Sequence, residues 1–189
     1  FETVKEELAF GIRKYNYRVD EIDKRVHEAA RILEIEPYLD RKPKALSGGQ
    51  RQRVLLAKVL AQQTPVLFLD EPAAGLDLFY QEQIFRFCRE LSARGKTVVM
   101  VVHELNLADR YCSRLMLLKQ GNVLADAAPQ QVLTDELLSA GYGTAIHARR
   151  NPENGHADIY TEELPLTSAK RELLDTIIGV GYQKGGEAL

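Results

Sequence analysis

Leu46-Ser47-Gly48-Gly49-Gln50-Arg51-Gln52-Arg53, followed after a helical interval by Val66-Leu67-Phe68-Leu69-Asp70-Glu71-Pro72, decides how the chain is read. Ser47 is a strong helix N-cap, and the glycine pair behind it leaves the N–H groups of that N-terminus open to the oxygens of an anion. The second stretch is a short, continuously apolar run that ends in two carboxylates. Without alternation, it predicts a strand covered on both faces in a parallel sheet. A carboxylate closing such a strand is costly unless it meets a cation, so Asp70 suits Mg²⁺ held through a bound water. Glu71, next in the chain, stands where a general base for water belongs.

Upstream, Thr3 with Glu6 forms a capping-box pattern and predicts a helix through Leu8, Ile12 and Tyr15. Asp20 is expected to cap a second helix with Ile22, Val26, Ala29 or Ala30, and Leu33 on one face. Pro37 and the turn Asp40-Arg41-Lys42-Pro43 then lead to Ser47 and a helix reaching about Gln62. Downstream, a helix over 79–93 and a β-branched strand over 97–102 complete a strand-helix-strand crossover. His103 ends the second strand as Asp70 ends the first. Both therefore reach the same carboxyl edge, where open α/β sheets bind ligands. A helix over 104–111, a strand over 114–118, a Gly121-Asn122 turn into Val123-Leu124-Ala125, and short helices from Pro129 and Thr134 to near Gly141 follow. Past Gly143 only turn chemistry at Asn151-Pro152-Glu153-Asn154-Gly155 and a helical rhythm from Ser168 to Ile178 are legible, and Gly179 to Leu189 reads as a frayed, glycine-rich end.

The 189 residues, 45% hydrophobic, suffice for one domain with a substantial core. A net charge of −2 leaves no basic surface for a phosphate backbone and argues against nucleic acid as a partner. Two cysteines in helical patterns make no disulfide framework and suit a reducing compartment. No run approaches the roughly 18 apolar residues of a membrane span, and the first residues lack signal-peptide character. Gly95-Lys96-Thr97 imitates the tail of a P-loop, but Glu90 stands where that motif requires glycine, and Thr97 begins a strand. Arg94-Gly95-Lys96 is instead expected to cap a helix C-terminus.

Taken together, the motifs resemble the later part of an ATP-binding cassette (ABC) ATPase: the signature at Leu46 to Gln50, Walker B at Val66 to Glu71, the D-loop at Ala74-Gly75-Leu76-Asp77 and the H-loop at His103. The resemblance implies an α/β fold with a P-loop NTPase-like (RecA-like) parallel core preceded by a helical subdomain. Residues 1–62 would be that subdomain with its signature, 63–143 the later part of the core, and 144–189 an extension of unassigned role. It further implies ATP and Mg²⁺ as cofactors, Asp70 at the metal, Glu71 polarising water, and His103 at the γ-phosphate. Ser47, Gly48, Gly49, Gln50 and Asp77 would contact ATP held by a second ABC ATPase subunit. The dimer would dock on transmembrane permease subunits, peripheral on the cytoplasmic face of the membrane.

Ala61 to Pro72 and Val101 to Tyr111 are similar to the iron-siderophore, haem and vitamin B12 importer branch, whereas Leu39 to Ala45 is closer to the maltose branch. The short interval from signature to Walker B argues against the DNA-repair branch, and the lack of basic stretches against the translation branch. Glu104 and Gly75 stand where many members have Asp and Ser. In this reading the Walker A loop, the adenine-stacking aromatic and the Q-loop glutamine would precede Phe1. Residues 1–189 alone are then expected neither to bind ATP tightly nor to hydrolyse it, and to show apolar sheet faces and edges. A non-enzymatic alternative is a silent module that lends only its signature to a complete subunit.

Overall fold

The computed structural model describes residues 1–162 and 165–178, so the frayed end expected over 179–189 lies outside the described residues. Three helices form the first layer. α1 (Val4–Arg13) starts with the expected capping box, Thr3 Oγ1 accepting from the Glu6 N–H and Glu6 Oε2 accepting from the Thr3 N–H, and stops short of Tyr15. α2 (Val19–Ile32) begins earlier than expected. Arg18, with extended backbone and no side-chain cap bond, is its N-cap. Asp20 sits in the first turn, where its charge complements the helix dipole and pairs with Arg18 at 3.1 Å. α3 (Gly48–Ala61) packs against both, burying Leu8, Ile12, Val26, Ala30, Leu56 and Ala57 in one cluster that continues to Ile84 and Cys88.

β1 (Val66–Asp70) and β2 (Thr97–Val101) pair in parallel, Val66 opposite Thr97 and Asp70 opposite Val101. The crossover between them is α4 (Leu78–Ala93), which buries Ile84, Phe85 and Cys88. Its end is a Schellman cap: Gly95 at φ +84° donates to the Ser92 carbonyl and Lys96 N–H to that of Leu91. The Lys96 ammonium closes over the carbonyls of Gln63 and Thr64 at 3.2 and 2.9 Å, which disposes of the P-loop imitation. The expectation of cover on both faces of β1 is corrected. Leu67 and Leu69 are buried, but Phe68 is 74% exposed, and Val66, Val99 and Val101 lie open. Only the face toward the helices is covered, because the described residues supply a layer on that side alone.

α5 (Leu105–Tyr111) follows, then the hairpin β3 (Leu115–Lys119) and β4 (Asn122–Ala127). Gln120 and Gly121 form its two-residue turn, at φ +49° and +78°, and Asn122 already pairs with Lys119. The turn thus lies one residue before the expected Gly121-Asn122. α6 (Pro129–Val132) and α7 (Asp135–Tyr142), capped by Thr134 and closed by left-handed Gly143, match their sequence signals. An antiparallel hairpin, β5 (Ile146–Arg150) with β6 (Ala157–Thr161), occupies the stretch where the sequence showed only turn chemistry. α8 (Ser168–Ile177) is exposed along its length. None of the described helices is long and apolar enough to cross a membrane.

Candidate functional site

The first half of the site is the N-terminus of α3. Ser47 Oγ accepts from the Gln50 N–H at 3.3 Å and Gln50 Oε1 accepts from the Ser47 N–H at 3.0 Å, a reciprocal box that fixes where the helix begins. Ser47 and Gly48 are exposed while Leu46 beside them is buried, so the cap is anchored from below and open above. A Cβ at Gly48 would meet nothing within 4 Å, whereas one at Gly49 would press on Leu76 at 3.3 Å. A side chain at 49 would therefore need Leu76, in the loop after β1, to give by a few tenths of an ångström. None of the described residues demands glycine at 48.

The second half lies at the carboxyl edge of the parallel pair. Asp70 ends β1 in an exposed position and has no hydrogen-bond or ion-pair partner among the described residues. This corrects the expectation of a buried carboxylate: the side chain is already in water and free to accept a hard cation. Glu71 adopts φ +44°, a left-handed conformation that costs a non-glycine residue about 1–3 kcal/mol. Three bonds hold it there. Its N–H donates to the Val101 carbonyl at 3.0 Å, and its own carbonyl accepts from the Ala74 N–H at 3.1 Å and from Gln52 Nε2 at 3.2 Å. So held, the Glu71 carboxylate meets His103, Oε1 to Nε2 at 3.0 Å, as the shared edge of β1 and β2 requires. Both side chains are about half exposed or more, so the pair adds little stability.

Asp77 does not join this pair. Its Oδ1 accepts from the Tyr80 N–H at 3.0 Å and caps α4, a role its place before the helix could have signalled. Gly75, at φ +70°, makes the sharp turn that delivers Leu76 to Gly49, which explains glycine at that position. Sequence reasoning also missed Gln52, quoted only as part of the first stretch. Its signal was its place one helical turn after Gly48 on the signature helix. Among the described residues no cluster of three or more His, Cys, Asp or Glu side chains could hold a metal ion unaided. The donor set fits Mg²⁺ only as an ion carried chiefly by phosphate and water with Asp70 beside it.

Comparisons with known proteins point to one family. Residues 1–74 match the ABC transporter family. The chain is similar to the hemin import ATP-binding protein HmuV of Rhodococcus jostii, 45% identical over 130 residues, covering 69% of this chain and 44% of that protein. To HmuV of Pseudomonas fluorescens it is 40% identical over 158 residues, 81% of this chain and 62% of the other. It thus spans about half the length of the curated relatives it matches. Among solved structures, an inward-facing metal-chelate type ABC transporter superposes with a TM-score of 0.72 over 90% of this chain and 69% of that one, at 22% identity, a likeness of fold. An ATP-binding cassette solved as a dimer bound to ADP and Pi superposes with a TM-score of 0.61 at 34% identity, over 67% of this chain and 56% of that one. With its α/β core arranged as in these cassettes, the chain carries over residues 1–74 part of a domain of the ABC transporter family.

Proposed function

We propose that these residues form the signature and catalytic-carboxylate portion of the ATPase subunit of an ABC importer that takes up haem or a related metal chelate. The observation that carries the reading is the Glu71–His103 pair, 3.0 Å apart at the carboxyl edge of the parallel strands, on a loop braced by the signature helix. The names of the hemin import relatives support the substrate class, and the maltose-like Leu39 to Ala45 does not outweigh them. Glu71, directed by His103, accepts a proton from the attacking water. His103 would reach the terminal phosphate, and Asp70 would hold Mg²⁺ through water. Bound there, Mg²⁺ neutralises phosphate charge. Ser47, Gly48, Gly49 and Gln50 offer their N–H groups to ATP on a second ABC ATPase subunit, which suits an open Gly48 that no contact among the described residues requires. The assembly docks on permease subunits at the cytoplasmic face.

Residues 1–189 contain no Gly-x-x-x-x-Gly-Lys-Ser/Thr sequence, so the phosphate-wrapping loop of either site is supplied by other residues. Calorimetry and a phosphate-release assay on the purified 189-residue chain with ATP and Mg²⁺ are expected to show neither micromolar binding nor steady turnover. Micromolar affinity or sustained turnover by these residues alone contradicts the proposed division of labour.

A further inference from the structure

Three contacts join the first two turns of α3 to the segment that follows β1. Gly49 packs on Leu76, Gln52 Nε2 donates to the Glu71 carbonyl at 3.2 Å, and the Arg53 guanidinium lies 5.2 Å from the centre of the Tyr80 ring. Only the Gln52 bond ends on the backbone of a catalytic candidate, and that backbone is in a left-handed conformation L-residues rarely hold. We propose that Gln52 is a positioning residue that ties the signature helix to the Glu71 backbone, so that seating the signature on nucleotide also sets the direction of the Glu71 carboxylate.

The physical case rests on what the bond restrains. The Glu71 carbonyl accepts twice, from Ala74 within its own turn and from Gln52 across 19 positions of sequence. The first contact closes the turn, and the second fixes where the turn lies relative to α3. A rotation of α3 by one side-chain spacing breaks the second bond or drags the peptide plane with it, and the carboxylate direction follows the φ and ψ of its own residue. In the proposed dimer the signature of one chain closes one ATP site while Glu71 of the same chain serves the other. Gln52 therefore carries the state of one site to the base of its neighbour, through a side chain that touches no substrate. This role rests on the function proposed above.

The test uses Gln52→Met, which keeps length and shape but removes the donor. In the 189-residue chain, hydrogen exchange of the Ala74 amide is expected to speed about tenfold, while that of Leu138, whose amide bonds Thr134 far from the site, stays unchanged. Unchanged exchange at Ala74, or equal acceleration at both amides, overturns the proposal. In a complete ABC ATPase subunit that carries these 189 residues joined to a phosphate-wrapping loop, the same variant is expected to lower the Glu71-dependent kcat about tenfold while KM for ATP moves less than about twofold. An unaltered kcat overturns it as well. If that subunit shows no Glu71-dependent turnover without the variant, the proposed function is defeated, and the exchange measurement alone decides whether Gln52 restrains Glu71.

Discussion

Asp109 shows how much a single side chain settles in this molecule. Its carboxylate is fully buried at the end of α5, where it meets Arg150 Nη1 at 2.6 Å, His156 Nδ1 at 3.1 Å and the Ala157 N–H at 2.9 Å. Burial alone pushes this carboxyl up. The Ala157 N–H, Arg150 and His156 outweigh it and hold Asp109 below the usual carboxylate range. Because the folded value lies below the unfolded one, the stabilisation is complete above the ordinary carboxylate range and is lost as pH falls through the folded value. Asp109→Ala strands Arg150, which is partly exposed, and is expected to cost about 2 kcal/mol in urea unfolding at neutral pH. The deficit should vanish in strong acid. Equal stability of the two forms at neutral pH would show the cluster to be idle. Asp109 sits in a stretch singled out for its family likeness, yet its anchoring role was not legible, because its three partners lie 41 or more positions away.

The β5–β6 hairpin raises the same problem at the scale of an element. Its strands alternate over too few residues to announce them, Ile146 and Ala148 against His147 and Arg149, then Ala157 and Ile159 against Asp158. Ile146, Ala148 and Ile159 pack with Leu133 and Leu138, and polar staples add to that contact. Asp109 grips Ala157, Asn106 Oδ1 accepts from the Ile159 N–H at 3.1 Å, and Asp135 Oδ1 accepts from that of Ala148. His147 bridges Asp135 and Glu162 at 3.1 Å each, with the Tyr160 ring beside it. Its hydrogen bonds to Asp135 first, and to Glu162, raise its pKa above the usual histidine value. A raised folded pKa makes this contribution complete below about pH 6.5 and lost as pH climbs through the folded value. Hydrogen exchange of the Ala148 amide is therefore expected to quicken, beyond the intrinsic pH effect, as pH rises through that window. His147→Gln should remove the excess, and an excess retained in that variant would exclude the histidine. Helices opened by a side-chain cap, such as α1, α3 and α7, were legible at their starts because each cap is written within four residues.

Across the whole molecule, the order of signature and Walker B, their spacing, and the parallel crossover between β1 and β2 were all legible, because each depends on local caps and apolar runs. The one-sided cover of β1 was not. An apolar run records that a strand can be buried on both faces, whereas the burial it achieves depends on which layers are present, and here Phe68 and Val101 remain open. That Asp70 and His103 reach one edge followed from the order of the strands, but the Glu71–His103 contact, the left-handed turn and the Gln52 bond that hold Glu71 arise only from packing. The central claim concerns what that carboxylate does. It is tested most directly by measuring ATP turnover of a complete ABC ATPase subunit that carries these 189 residues joined to a phosphate-wrapping loop, with Glu71 and with Glu71→Gln. Turnover that Glu71→Gln lowers by about two orders of magnitude is the predicted result. Turnover of equal size in both forms would contradict it.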